Sequence, residues 1–426
     1  MRKNINKLVA VAIGVSIMSG SAMPVFAADS ANNTTAQNTN TITSVQAQTI
    51  GKQVLTLDDA IRAAINNDDK LAYDEKAISY QNKINDGKEE LDDAMSVGGD
   101  TEDFNEDTRE NKLKQLKQQR DFDEDTVIQK TTKAYNDLVT RQMKIGKMTG
   151  LLEVRNKELN DTKLKKNLGL VTSIELGDTE LQIKSLQNQL QLSINQLKDA
   201  QDSFKVLTGK DISQFTLEQD IKFEKFKIDG AVDEYLDNVI DRYLKLKVDA
   251  LKLNKDYVDD NEVSEDDVKT AKTTSDNATA PTISASATVD QYAEYEKKLG
   301  KYQSDKNAYT NKLSERISYL TNRLTIYEGQ TNLEINKKQL KDSLKQLYTN
   351  ILSTEDSIDS LKQKIELNNK KLKNAKLRYD LGLITKSDYT KSIVDDQGSD
   401  DLDIQLRTTI DTYNTLKEKL QKPWVQ

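Results

Sequence analysis

Apolar residues recur every seven positions along several stretches of the chain. Leu138, Ile145, Leu152 and Leu159 form one series, and Leu176, Ile183, Leu190, Leu197 and Phe204 the next. In the second half Leu344, Ile351, Ile358, Ile365, Leu372 and Tyr379 keep the same step. Leu340, Leu347 and Leu361 fill the second seam position there, and Leu406, Tyr413 and Leu420 follow. A seven-residue step holds one helix face toward a neighbouring helix and implies left-handed coiled-coil packing. An ordinary amphipathic helix in a globular bundle is the alternative, and four sustained heptads favour the coiled coil.

The pattern is also duplicated. Lys163-Leu-Lys-Lys-Asn-Leu-Gly-Leu-Val-Thr172-Ser-Ile-Glu175-Leu176 returns as Lys376-Leu-Arg-Tyr-Asp-Leu-Gly-Leu-Ile-Thr385-Lys-Ser-Asp388-Tyr389. Each copy joins the end of one helical pattern to the start of another. Glycine suits a helix C-terminus because the left-handed conformation costs it little. A Thr hydroxyl can accept an orphan N–H at the next helix start. Leu57-Asp-Asp-Ala-Ile is likewise echoed by Val232-Asp-Glu-Tyr-Leu. The expected fold is all-α: duplicated long antiparallel hairpins with tight tips, where repetition decides the architecture.

Element boundaries follow from breakers and caps. Thr56 should cap a first helix running to about Met95, with Asp58 and Asp59 favoured by its dipole. Ser96-Val-Gly-Gly-Asp100 breaks it, and helix resumes from about Asn105 to Leu168. Residues 210–228 read as a connector. The acidic, Ser/Thr-rich stretch 257–290 with Pro281 reads as a loop. Helix returns near Val289 and leads to Tyr327-Glu-Gly329-Gln; a separate helix over 331–381 would be roughly 75 Å long. Pro24, Pro281 and Pro423 all fall outside the proposed helices, where an interior proline would kink them. The first repeat is thus 53–228 and the second 229–422.

The N-terminus changes the compartment. Arg2, Lys3 and Lys7 precede an apolar run from Leu8 to Met18, and Val25-Phe-Ala27 resembles a cleavage site. Residues 1–27 are expected to be a signal peptide. The run is too short to favour a membrane anchor, and no cysteine follows it to carry lipid. Residues 28–52 are Thr, Asn, Gln and Ala with few large apolar groups, which fits a disordered leader. Mean hydropathy is −0.73 and charged residues make up 31%, as long helices with one narrow buried stripe require. The formal charge of −8 offers no basic patch for nucleic acid. There is no Cys and no His, which removes disulfides, thiol nucleophiles, Cys/His metal sites and histidine acid–base chemistry. The carboxylates spread along helical faces as solvated charge. An enzyme is not expected, and no cofactor or metal is implied.

In the order of its motifs the chain resembles the TolC family of outer-membrane efflux proteins over about residues 53–422. The matching pieces are Leu55-Thr-Leu-Asp-Asp-Ala-Ile, the two Leu-Gly-Leu-[Val/Ile]-Thr tips, Leu207-Thr-Gly-Lys, and Thr325-Ile-Tyr-Glu-Gly before a long helix. The resemblance implies a homotrimer whose hairpins form a hollow helical cylinder. A membrane-fusion-type adaptor and an inner-membrane pump would meet it at the tips. Gly169, Leu170, Gly382 and Leu383 match adaptor-docking positions. Glu175 and Asp388 match acidic positions near the entrance, and Tyr379 matches a gate tyrosine. Lys391 stands where a second entrance aspartate is often found.

The departure from the family is its membrane barrel. A spanning strand needs about 9–11 alternating residues. The interval near 96–105 is too short for one. Pro281-Thr-Ile-Ser-Ala-Ser-Ala-Thr-Val resembles a family strand but runs into the charged, helical Tyr292-Ala-Glu-Tyr-Glu. The expectation is a TolC-like α-barrel with vestigial strands or none, exported to the cell envelope. That places it at the outer membrane by resemblance, or at the wall or outside the cell if the Lys/Asn-rich composition reflects a low-GC host with one membrane. A coiled-coil scaffold without a conduit is the other reading, and a peptide- or sugar-binding module finds no pocket signal.

Overall fold

The computed structural model describes residues 52–425 apart from 387, 391 and 393–400. The expected signal peptide and nearly all of the expected leader lie outside them, as does Lys391. Of the described residues, 83% are helical. Its elements are strand β1 (Gln53–Leu55), helices α1 (Leu57–Asn67), α2 (Asp69–Ala94), α3 (Asp100–Asn167) and α4 (Ser173–Thr208), strand β2 (Phe215–Leu217), and helices α5 (Val232–Asp260), α6 (Glu265–Asn277), α7 (Val289–Asp380) and α8 (Leu402–Gln421). Among the described residues no helix is long and apolar enough to cross a membrane. Strands β1 and β2, three residues each, pair in parallel with Val54 opposite Thr216. Both are far shorter than a membrane strand.

The chain divides into two compact units that do not follow the two repeats. The larger comprises 48–91, 112–246 and 337–426; the smaller comprises 92–111 and 247–336 within the described residues.

In the larger unit the core gathers Leu55, Ala60, Tyr135, Leu138, Val139, Phe204, Ile212 and Leu217. Tyr135 fixes this junction: its hydroxyl donates to the Leu55 carbonyl at 2.7 Å and accepts from the Glu218 N–H at 2.8 Å. Burial raises its pKa, so the phenol stays a donor. The heptad positions behave as their spacing predicts. Ile183, Phe204, Leu344, Ile351 and Ile358 are buried, and Leu190, Leu197, Ile365 and Leu372 are half-buried. Lys345, Lys341 and Lys337 of α7 meet Asp233, Asp237 and Asp241 of α5 at 2.8, 2.7 and 2.9 Å. This exposed ladder sets antiparallel register more than it adds stability. Near the C-terminus Trp424 stacks on Phe122 with centroids 4.3 Å apart and donates to Asp125 at 2.9 Å.

In the smaller unit Phe104 stacks on Tyr257 at 4.0 Å, and Arg109 pairs with Asp92. Four boundaries differ from expectation here and in α1–α2. The first helix does not run unbroken to Met95. Asp68 ends α1 in an extended conformation, and its carboxylate accepts from Leu71 N–H at 2.9 Å to start α2. The next helix resumes at Asp100 rather than Asn105. The stretch 257–290 is not wholly loop, because Ser264 and Asp267 form a capping box that starts α6. Gly329 does not separate two helices, since α7 passes straight through it. A Cβ there would lie 2.9 Å from Leu251 Cδ1, so this glycine serves close helix packing.

Candidate functional site

The two hairpin tips are the same backbone built twice. At the first, Leu170 N–H reaches the Lys165 carbonyl at 2.8 Å and Gly169 N–H the Lys166 carbonyl at 2.9 Å. At the second, Leu383 N–H reaches Arg378 at 2.8 Å and Gly382 N–H reaches Tyr379 at 2.9 Å. These paired bonds are the Schellman closure, which needs a left-handed residue. Gly169 and Gly382 supply it at φ +73° and +71°. A capping box follows at once. Glu175 N–H donates to Thr172 Oγ1 at 3.2 Å while Thr172 N–H donates to the Glu175 carboxylate at 2.6 Å. Asp388 and Thr385 repeat this at 3.1 and 3.2 Å.

The acidic residues near the tips are therefore helix caps in this chain. The Thr172 N–H, and then its hydroxyl, hold the Glu175 carboxyl below its ordinary value. The leucines face outward: Leu170 is 70% and Leu383 66% exposed. Leu168, Ile174 and Leu381 are also exposed. The expected tip residues thus lie together at two corners. Gly169, Leu170 and Glu175 form one, and Gly382, Leu383, Asp388 and Tyr379 the other.

The corners differ in what closes them. Lys163 and Glu180 face each other at 3.7 Å beside the first. Beside the second, Tyr379 stacks on Tyr389 with centroids 5.1 Å apart and planes 8° from parallel. Lys166 and Leu176 hold the matching places in the first copy. Sequence reasoning singled out Tyr379 and passed over Tyr389. The signal was present: the two tyrosines sit ten residues apart on either side of a Gly corner, where a hairpin brings them together. The second tip also carries Lys370, Lys371, Lys373, Lys376, Arg378 and Lys386 against Asp380 and Asp388.

Elsewhere an open cleft of about 590 Å³ runs between β1, α1 and the end of α4, lined by Asp59, Arg62, Asn67 and Lys210 among others. Asp59 is occupied in capping, paired with Thr56 and Arg62. Among the described residues no group of three or more acidic side chains is placed to hold a metal ion.

No family model and no curated protein sequence matches this chain. Solved structures do. CusC, whose crystal structures concern folding and transmembrane channel formation, aligns at 10% identity with a TM-score of 0.51, over 87% of this chain and 91% of its own. A membrane protein from Pseudomonas aeruginosa aligns at 11% identity with a TM-score of 0.50, over 86% of this chain and 93% of its own. At these identities the likeness is one of fold. The chain has the TolC-like fold.

Proposed function

We propose that this protein is a non-enzymatic, TolC-like efflux or export duct component, working as a trimer with a membrane-fusion-type adaptor and a pump in the cell envelope. On this reading residues 1–27 direct export, and 53–228 and 229–422 act as two equivalent hairpin repeats. Gly169, Leu170, Gly382 and Leu383 dock the adaptor, while Glu175, Asp388 and Tyr379 border the entrance. One observation carries it: two tips a half-chain apart keep one backbone construction yet leave a leucine of each in water. A hairpin end needs a left-handed residue and a cap, and neither requires an exposed Leu.

The three-residue strands favour a second reading, in which the same fold serves as an exported coiled-coil scaffold without a conduit. Replacing Leu170 and Leu383 together with Asp separates the two. The duct reading expects loss of capture of a membrane-fusion-type adaptor that binds the wild-type protein, with little change in melting temperature. The scaffold reading expects unchanged capture.

A further inference from the structure

The two tips share a backbone but not a charge. Over residues 157–180 four basic side chains stand against five acidic ones; over the matching 370–393 seven stand against two. Lys371 replaces Glu158, Lys373 replaces Asn160, Asn374 replaces Asp161, Lys386 replaces Ser173, Lys391 replaces Asp178 and Ile393 replaces Glu180. Tyr379 and Asp380, in place of Lys166 and Asn167, are the changes that run the other way. In a chain of formal charge −8, the second tip is a positive island.

The fold does not call for this excess. Cations in a last helical turn offset the negative end of the dipole, and both α3 and α7 carry them there, as Lys165 and Lys166 and as Arg378. Lys371 and Lys373 lie about two turns before the end of α7. Lys386 directly follows the Thr385 cap, at the positive end of the next helix, where a cation is disfavoured. At the first tip Lys163 faces Glu180 at 3.7 Å, and Glu158 takes Arg155 at 2.9 Å. At the second, Lys370 pairs with Glu366 at 2.6 Å. Lys371, Lys373, Lys376, Arg378 and Lys386 are exposed, and none of them has an ion-pair partner among the described residues. Gathered like charges repel until something opposite meets them.

We propose that the two tips are unequal docking sites, and that the second receives a carboxylate-rich segment of the adaptor. The inference rests on the docking reading above and adds the chemistry of the partner. Leu383 at the corner supplies the apolar contact, and the cations around it steer an acidic surface onto it. Leu170 offers the same apolar contact without that charge. Two corners of one construction would otherwise be interchangeable. Charge on one of them lets an adaptor seat in a single orientation, since specificity is a difference between two affinities.

The test exchanges charge and keeps the backbone. In the full-length exported protein, Lys371→Glu, Lys373→Asn, Asn374→Asp and Lys386→Ser together give the second tip side chains that the first already carries. Circular dichroism and melting temperature should therefore stay at wild type. Against a membrane-fusion-type adaptor that binds the wild-type protein, the association rate should fall about tenfold or more. The steep salt dependence of the wild-type rate should flatten. Zero-length carbodiimide coupling of the wild-type complex should join Lys371, Lys373, Lys376 or Lys386 to adaptor carboxylates. A wild-type rate and salt dependence in the exchanged protein overturns the proposal, as does coupling that runs only from tip carboxylates to adaptor lysines. Binding of the wild-type protein to phosphatidylglycerol vesicles, lost on exchange while adaptor capture is unchanged, assigns the cations to a lipid surface and also overturns it. The Leu170→Asp, Leu383→Asp variant separates the two levels. If it keeps capture, the docking reading falls and this inference with it; if it loses capture while the exchanged protein binds as wild type, this inference alone falls.

Discussion

The two units of this chain are held by different physics. In the described part of the larger unit 42 acidic residues face 45 basic ones, and nearly all of the fully buried apolar side chains lie there. The smaller unit carries 24 acidic residues against 13 basic ones, and its buried apolar residues are Val258 and Ile326. It is organised instead by pairs such as Arg109–Asp92 and Arg323–Asp259 and by one aromatic stack. Apolar burial depends little on ionic conditions. Surplus like charge repels and is screened by salt. The larger unit should therefore set the stability of the chain, and the smaller unit should respond to its surroundings.

Core truncation gives the largest expected contrast. Leu138→Ala, at a fully buried position, should cost about 3 kcal/mol, read by chemical denaturation. Leu320→Ala in the smaller unit, where the side chain is 49% exposed, should stay within about 0.5 kcal/mol. Equal losses would break the comparison.

Two glycine substitutions sharpen it. Gly329→Ala brings a methyl to the far end of the half-buried Leu251 side chain, which can turn away, so the contact should offset the gain in helix propensity and the net change should stay within about 0.5 kcal/mol. Gly146→Ala meets nothing within 4 Å and should stabilise α3 by about 0.5–1 kcal/mol through helix propensity. Thermal melts of both variants check the signs.

Salt and pH effects are smaller. Raising salt from low ionic strength should slow amide exchange in 247–336 more than in 112–246, as carboxylate repulsion is screened. In the larger unit, burial raises the pKa of Asp411, which accepts from Asn136 beside the buried Arg407. Its folded form binds the proton more tightly than the unfolded chain does. That contribution is complete below the ordinary value of 3.8 and is lost as pH rises through the elevated folded value. Asp411→Asn should flatten the stability profile in that window, in urea melts across pH. Glu175 runs the other way. Its lowered pKa means that the cap stabilises above 4.5 and that this is lost as pH falls through the folded value. Glu175→Ala should remove that slope and fray only the start of α4.

Much of this was legible in the sequence. The heptad residues, the Gly-Leu corners and the Thr caps encode their structure locally, and each landed where its spacing predicts. Asp68 was missed because one aspartate closes one helix and opens the next with no Gly or Pro to mark the break. Helix α6 was missed because its polar, hydroxyl-rich composition resembles a loop, and only Ser264 and Asp267, three residues apart, signal a start. Gly329 misled because a glycine that admits Leu251 looks in one dimension like one that ends a helix. The side-chain closure of the tips, Tyr379 on Tyr389, depends on a hairpin folding back, which composition does not announce.

The most direct test of the central claim is capture of a membrane-fusion-type adaptor by the Leu170→Asp, Leu383→Asp variant beside the wild-type protein, with its melting temperature measured on the same sample. The account predicts that capture is abolished while the melting temperature stays near wild type, because both leucines lie outside the buried seams. Capture equal to wild type would contradict it.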